Sequence, residues 1–196
     1  MAEFKANTGG RSVTASTTGT SIDAEGSDDI TVGGSATGKT HTLAVDGLNA
    51  SFDPESSAEV DRDATPDLGT FSITVELTAF GDDIYVTSTG TTEDITLTSV
   101  AANTGFNYDL TGTSTAVTNI DSSADTVAAT AGNVYVLHEG DPETFTLTVT
   151  GQSNTSIFAQ LQLGAIQYGT DKDDVYNQTL YLNASDYKTT SVSLSN

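Results

Sequence analysis

The chain has no cysteine and no tryptophan, and only three prolines and six lysine or arginine residues among its 196 positions. Without cysteine there is no disulfide framework, no thiolate zinc site and no cysteine nucleophile. Six scattered bases cannot build the clustered positive charge that grips phosphates, so free nucleic acid is not expected as a partner. No run approaches the roughly 18 consecutive apolar residues of a membrane helix, and membrane insertion is not expected. No stretch of ten residues carries helical periodicity. The lack of tryptophan also argues against a glycosidase, since paired carboxylates need a sugar cleft that is normally lined with aromatics. Met1-Ala2-Glu3-Phe4-Lys5 has no apolar signal core. It reads as a cloning scar before a mature protein or an excised fragment, which leaves an exported home open.

What fills the chain instead is hydroxyl and acid: 35 threonines, 20 serines and 27 acidic residues, for a net charge of −21. Apolar residues make up 36 %, enough for a thin core. A two-layer β-sandwich suits that supply, because each strand buries only alternate residues. Threonine favours it too, packing its branched Cβ on a pleated surface while its hydroxyl meets water. The charge is uneven. Residues 51–100 hold eleven acids and one base, and residues 101–150 hold six acids and no base. A cysteine-free, acidic, Thr/Ser/Gly-rich composition is typical of exported prokaryotic surface proteins, so an extracellular or cell-surface location is expected.

Residues 1–27 read as a polar arm with little to bury. Within it, Arg11-Ser12-Val13-Thr14-Ala15-Ser16 alternates and is expected to become a strand where a sheet edge is offered. Arg11, Val13 and Ala15 are the candidate partner-binding residues. Residues 28–196 are expected to form the sandwich: a hairpin and an acidic loop over 28–67, then the core over 68–196. Period-two segments cover 30–32, 40–45, 70–80, 84–87, 94–99, 104–110, 115–120, 125–130, 133–138, 144–150, 157–167, 178–182 and 189–194. The clearest are Phe71-Ser72-Ile73-Thr74-Val75-Glu76-Leu77 and Thr144-Phe145-Thr146-Leu147-Thr148-Val149-Thr150, with threonine and serine in the outward register. Residues 53–67, with two of the prolines, are expected to be a loop.

Few motifs carry chemistry. Gly33-Gly34-Ser35-Ala36-Thr37-Gly38-Lys39-Thr40 matches the phosphate-binding P-loop pattern letter for letter. That chemistry needs a helix starting at Gly38-Lys39, and the residues that follow alternate like a strand, so a plain loop is expected. Asp61-Arg62-Asp63-Ala64-Thr65-Pro66-Asp67 spaces three carboxylates at i, i+2 and i+6, and Asp171-Lys172-Asp173-Asp174 is a second acidic loop. Two readings stand side by side. The aspartates are solvated turn residues, or Asp61, Asp63 and Asp67, joined by Asp171, Asp173 and Asp174, gather the several oxygens that Ca2+ prefers. His138, in Val136-Leu137-His138-Glu139-Gly140-Asp141, reads as a turn histidine. No nucleophile elbow is present, and no enzyme is expected.

With the strands placed, a resemblance is visible in Gly69-Thr70-Phe71-Ser72-Ile73, Leu77-Thr78-Ala79-Phe80-Gly81-Asp82-Asp83-Ile84-Tyr85-Val86, Glu139-Gly140-Asp141-Pro142-Glu143-Thr144-Phe145 and Leu163-Gly164-Ala165-Ile166-Gln167-Tyr168-Gly169-Thr170. Residues 68–196 resemble a C-terminal Ig-like β-sandwich module of exported surface proteins from ultra-small candidate-phylum bacteria. The resemblance implies fold and export, and carries no catalytic residues. The expectation is an all-β, antiparallel Ig-like β-sandwich with an extended N-terminal arm. Its role is structural or adhesive at a cell surface, with self-association into filaments by β-strand addition through the arm. The alternative is a calcium-dependent module that binds glycan or another surface.

Overall fold

The computed structural model describes residues 11–18, 35–43, 46–51, 54–92, 103–112, 115–130 and 132–196. All regular structure among them is β. The chain divides into two compact units, Met1–Asp46 and Gly47–Asn196. In the first, β1 (Arg11–Thr18) and β2 (Ser35–Leu43) form a two-stranded antiparallel sheet. The alternating piece of the expected 1–27 arm thus has a partner strand in its own chain, within the unit that ends at Asp46. Thr14 pairs Thr40 and Ser16 pairs Thr37, leaving Gly38 and Lys39 opposite Ala15 in the manner of a β-bulge. The expected strands over 30–32 and 94–99 lie outside the described residues.

The second unit carries β3 (Gly47–Ala50), β4 (Glu55–Asp61), β5 (Leu68–Phe80), β6 (Ile84–Thr87), β7 (Gly90–Thr92), β8 (Phe106–Thr111), β9 (Thr115–Ser122) and β10 (Asp125–Ala129). β11 (Gly132–Leu137), β12 (Pro142–Gln152), β13 (Ile157–Gly169), β14 (Gln178–Tyr181) and β15 (Val192–Leu194) follow. One sheet runs β3-β5-β12-β9, with β4 also on β5; the other runs β10-β11-β6-β13-β8-β7, with β14 and β15 also on β13. Taken as A (β3, β4), B (β5), C (β6, β8), D (β9), E (β12), F (β13) and G (β14, β15), the two layers read A-B-E-D and C-F-G. β7, β10 and β11 stand outside this lettering: β7 pairs β8, and the β10–β11 hairpin, carried on β6, comes in the chain between D and E, where an Ig sandwich has no strand. The pairs are antiparallel except β7 with β8, which is parallel.

The segment expected as an acidic loop is a strand over Glu55–Asp61, paired with β5 from Thr74 to Leu68. Its prolines flank the strand rather than interrupt it. Ala58 and Val60 of β4 pack against the core while the acids beside them face outward. The loop proper is confined to residues 62–67.

The core forms where the two inner faces meet. Phe71, Ile73, Val75, Leu77 and Ala79 of β5 and Phe145, Leu147 and Val149 of β12 are all buried. On the outer face of the same strands, Ser72 Oγ meets Thr148 Oγ1 at 3.1 Å and Thr74 Oγ1 meets Thr146 Oγ1 at 2.8 Å. Such cross-strand hydroxyl pairs contribute roughly 0.2–1 kcal/mol each. On β13 the buried register changes midway. Leu163 pairs Tyr108 but Ala165 pairs Asn107, so Gly164 is an inserted residue. Before it the core takes Ala159, Leu161 and Leu163; after it, Ile166 and Tyr168. The bulge therefore turns Gln167 to the opposite face, where it is nevertheless only 4 % exposed.

The G edge is a single line of pairing along β13 with one excursion. Ala165 pairs Tyr181, Gln162 pairs Lys188 and Ile157 pairs Leu194. Residues 183–186 loop out as a turn closed by Asp186 N–H on Asn183 O at 2.8 Å.

Phe145 joins the layers, its ring 5.9 Å from that of Phe106 and 5.4 Å, edge-on, from that of Tyr135. Phe145→Ala is expected to cost about 3–5 kcal/mol, read as a lowered urea midpoint with an unchanged slope; a loss under 1 kcal/mol, on the order of a surface change, would contradict this packing.

Candidate functional site

The acids that the sequence singles out sit at the ends of the sandwich. Asp67, at the end of the 62–67 loop, is 6 % exposed. Its Oδ2 accepts three hydrogen bonds: from Arg62 Nη1 at 2.8 Å, Ser195 N–H at 3.0 Å and the Ser195 hydroxyl at 2.7 Å. Asp67 N–H in turn donates to Ser195 O at 3.0 Å, and Arg62 Nη2 to Ser193 O at 3.3 Å. The loop before β5 is thereby tied to the chain's last strand. These donors hold the Asp67 carboxyl below its ordinary value, the Ser195 bonds first and the Arg62 charge after them. Asp61 and Asp63 are exposed, and Asp61 Oδ1 caps the turn by accepting Asp63 N–H at 2.9 Å.

In the second acidic loop, Asp171 Oδ1 accepts Asp173 N–H at 2.9 Å. Asp173 accepts Lys172 Nζ at 2.6 Å on Oδ2, and on Oδ1 both Thr130 N–H at 2.6 Å and the Thr130 hydroxyl at 2.8 Å. Thr130 belongs to the β10–β11 turn, so Asp173 joins that hairpin to the chain after β13. The same bonds, led by that from Lys172, bring the Asp173 carboxyl to about 2. Asn177 Nδ2 reaches Asp174 Oδ2 at 3.3 Å. Gly169 lets the chain fold back here: a Cβ on it would stand 2.0 Å from Asp174 O.

A third tie links the β5–β6 turn to the β11–β12 turn. Asp83 accepts His138 Nδ1 at 3.0 Å and Glu139 N–H at 3.2 Å, while Glu139 Oε1 accepts Gly81 N–H at 3.1 Å. His138 is thus engaged with a turn carboxylate.

Among the described residues, no three His, Cys, Asp or Glu side chains gather as a metal-binding group. Of the six candidate ligands, Asp67 and Asp173 are taken up by protein donors, on partners 128 residues and 43 residues away. From Ser35 to Thr40 the P-loop match lies in β2, with Gly38 and Lys39 at the bulge opposite Ala15; Gly33 and Gly34 lie outside the described residues. There is no helix start there to face a phosphate. Surface hollows occur among the described residues. One, of about 150 Å3, is lined by Glu55, Ser56, Ser57, Ser72 and Thr74. Another, of about 170 Å3, lies between Asn49 and Ala50 of β3 and residues 180–183, 186 and 187. Both are smaller than the roughly 300–1,000 Å3 of ordinary ligand sites.

No family model, curated protein or solved structure matches the chain.

Three residues central to these ties escape a reading of the sequence. Arg62 carries a signal in retrospect, as the sole base among eleven acids in residues 51–100. Ser195 and Thr130 carry none, because nothing local marks them as donors to carboxylates so far away in the chain.

The depressed carboxyls fix the sign of the acid response. Their stabilisation is fully present above the ordinary value of 3.8 and is lost as the pH falls through the lowered ones, to about 2 for Asp173. Wild type is expected to lose melting temperature steadily across that window, and Asp67→Asn with Asp173→Asn to lose much less there while melting lower at neutral pH. Parallel acid curves for wild type and the double variant would contradict these roles.

Proposed function

We propose that the chain is a non-catalytic structural module of a secreted or cell-surface protein of prokaryotic origin, assembling with its own kind. The observation that carries this reading is the use made of the ionisable side chains. Asp67, Asp83, Glu139 and Asp173 each bond the chain's own turns together, which suits a module that must hold its shape outside the cell. The remaining acids keep neighbouring copies soluble on a crowded surface. The resemblance of residues 68–196 to an exported module supports the same location.

Assembly is supported by a contrast of charge. The segments of β1 and β2 contain Arg11, Lys39 and His41 and no acid, whereas residues 47–196 contain 21 acids and three bases. Among the described residues, β1 and β2 pair only with each other. Residues 19–34, which join the two strands, hold four acids and no base, so the positive charge is confined to the strands themselves. There it is complementary to the acidic sandwich of the next copy, in a head-to-tail contact that can propagate from copy to copy. Light scattering and negative-stain imaging of the full chain test this. Assemblies are expected at low salt, dispersed by raised salt and by Arg11→Glu with Lys39→Glu. A monomer at every salt concentration would remove the assembly, and a substrate turned over by the purified chain would remove the non-catalytic reading.

A further inference from the structure

The Gly164 bulge leaves the buried carboxamide of Gln167 on the outer face of the C-F-G sheet, beside that of Asn107 and under the turn that leads into β8. Gln167 Oε1 accepts two consecutive backbone amides, Thr104 N–H at 2.8 Å and Gly105 N–H at 3.0 Å. The Thr104 hydroxyl lies 3.3 Å from the same oxygen and 2.8 Å from Asn107 Oδ1. The turn that aims these groups is closely fixed. Asn103 and Gly105 have φ of 61° and 71°, in the left-handed region where successive N–H groups converge on one acceptor. A Cβ on Gly105 would come within 2.3 Å of Thr87 Cγ2. Gly105 O accepts Gln167 N–H at 2.9 Å and Asn107 Nδ2 at 2.8 Å. Gln167 and Asn107 are 4 % and 2 % exposed.

Two amides on a carbonyl oxygen with a hydroxyl beside it are the parts of an acyl-transfer site: a polarised carbon, an oxyanion hole and an oxygen nucleophile. We propose that Thr104 and Gln167 are a site of self-modification, at which the threonine hydroxyl attacks the glutamine carboxamide to form an internal ester. The Thr104 Oγ1–Gln167 Cδ bond forms and the Cδ–Nε2 bond breaks. Negative charge on Oε1 in the tetrahedral intermediate is held by the Thr104 and Gly105 amides, and the hydroxyl proton passes to Nε2, which leaves as ammonia. Asn107 Oδ1 orients the hydroxyl by accepting its hydrogen at 2.8 Å. No oxidant, metal or second substrate enters the balance. The burial that keeps bulk water from Gln167 also protects the product from hydrolysis. The bond would join the turn before β8 to β13 covalently, in a chain that has no cysteine to do so.

Intact mass of the denatured full chain tests this on the wild type itself, so that no variant needs to fold. The expected mass is about 17 Da below that of the sequence, the loss of one ammonia. The deficit should map to a cross-linked peptide pair containing Thr104 and Gln167 and disappear in Thr104→Val measured against its own sequence mass. Hydroxylamine, which opens esters and spares amides, should free the threonine and leave a hydroxamate at Gln167, about 16 Da above the sequence mass. A wild type at full sequence mass overturns the proposal. So does a gain of about 1 Da, the mark of Gln167 hydrolysed to glutamate, or a deficit that persists in Thr104→Val.

Discussion

The pairing of β5 with β12 is the constraint on which the rest of the sandwich depends. It is unbroken from Leu68 opposite Gln152 to Thr78 opposite Pro142. Because side chains alternate, this one register commits Phe71, Ile73, Val75 and Leu77 to the same face as Phe145, Leu147 and Val149. A slip of one residue would turn every one of them to water and every threonine inward. Once that face exists, Phe145 can meet Phe106 and Tyr135 of the opposite layer, and β9, β3 and β4 add at the two sides.

This part of the fold is legible in the sequence because it is local. Phe71 to Leu77 and Phe145 to Val149 alternate without exception, and threonine fills the other register. What was not legible is non-local or breaks the period. Glu55–Asp61 looks like a loop because its outward positions are acidic and prolines bracket it; its inward Ala58 and Val60 are too small to announce a strand. Gly164 reads as an ordinary glycine in an apolar run, yet as a bulge it exchanges the faces of β13 and brings Gln167 out of the core register. The partner of the Arg11–Thr18 strand lies beyond an intervening stretch of about sixteen residues, a separation that sequence periodicity does not bridge.

The acids show the same division. Their concentration in turns was plain, and so was the suggestion of a cation. Their actual partners were not: Asp67 is met by the other end of the chain and Asp173 by the tip of the β10–β11 hairpin. A carboxylate supplied with several donors by the protein has little left to offer a metal, whereas its loss would free a turn or the final strand. In a fold with a thin core and no disulfide, such ties do at the ends of the strands what hydrophobic burial does in their middle.

The central claim, that these carboxylates serve as internal ties rather than as a cation site, is tested most directly by hydrogen exchange at the Ser195 amide. That amide lies just beyond β15, outside the strand pairing, where exchange is rapid unless something holds it, and its acceptor is Asp67 Oδ2. The account predicts a protected Ser195 amide at neutral pH in calcium-free buffer, unchanged by added calcium and exposed in Asp67→Asn. Rapid exchange without calcium, with protection gained on its addition, would contradict it.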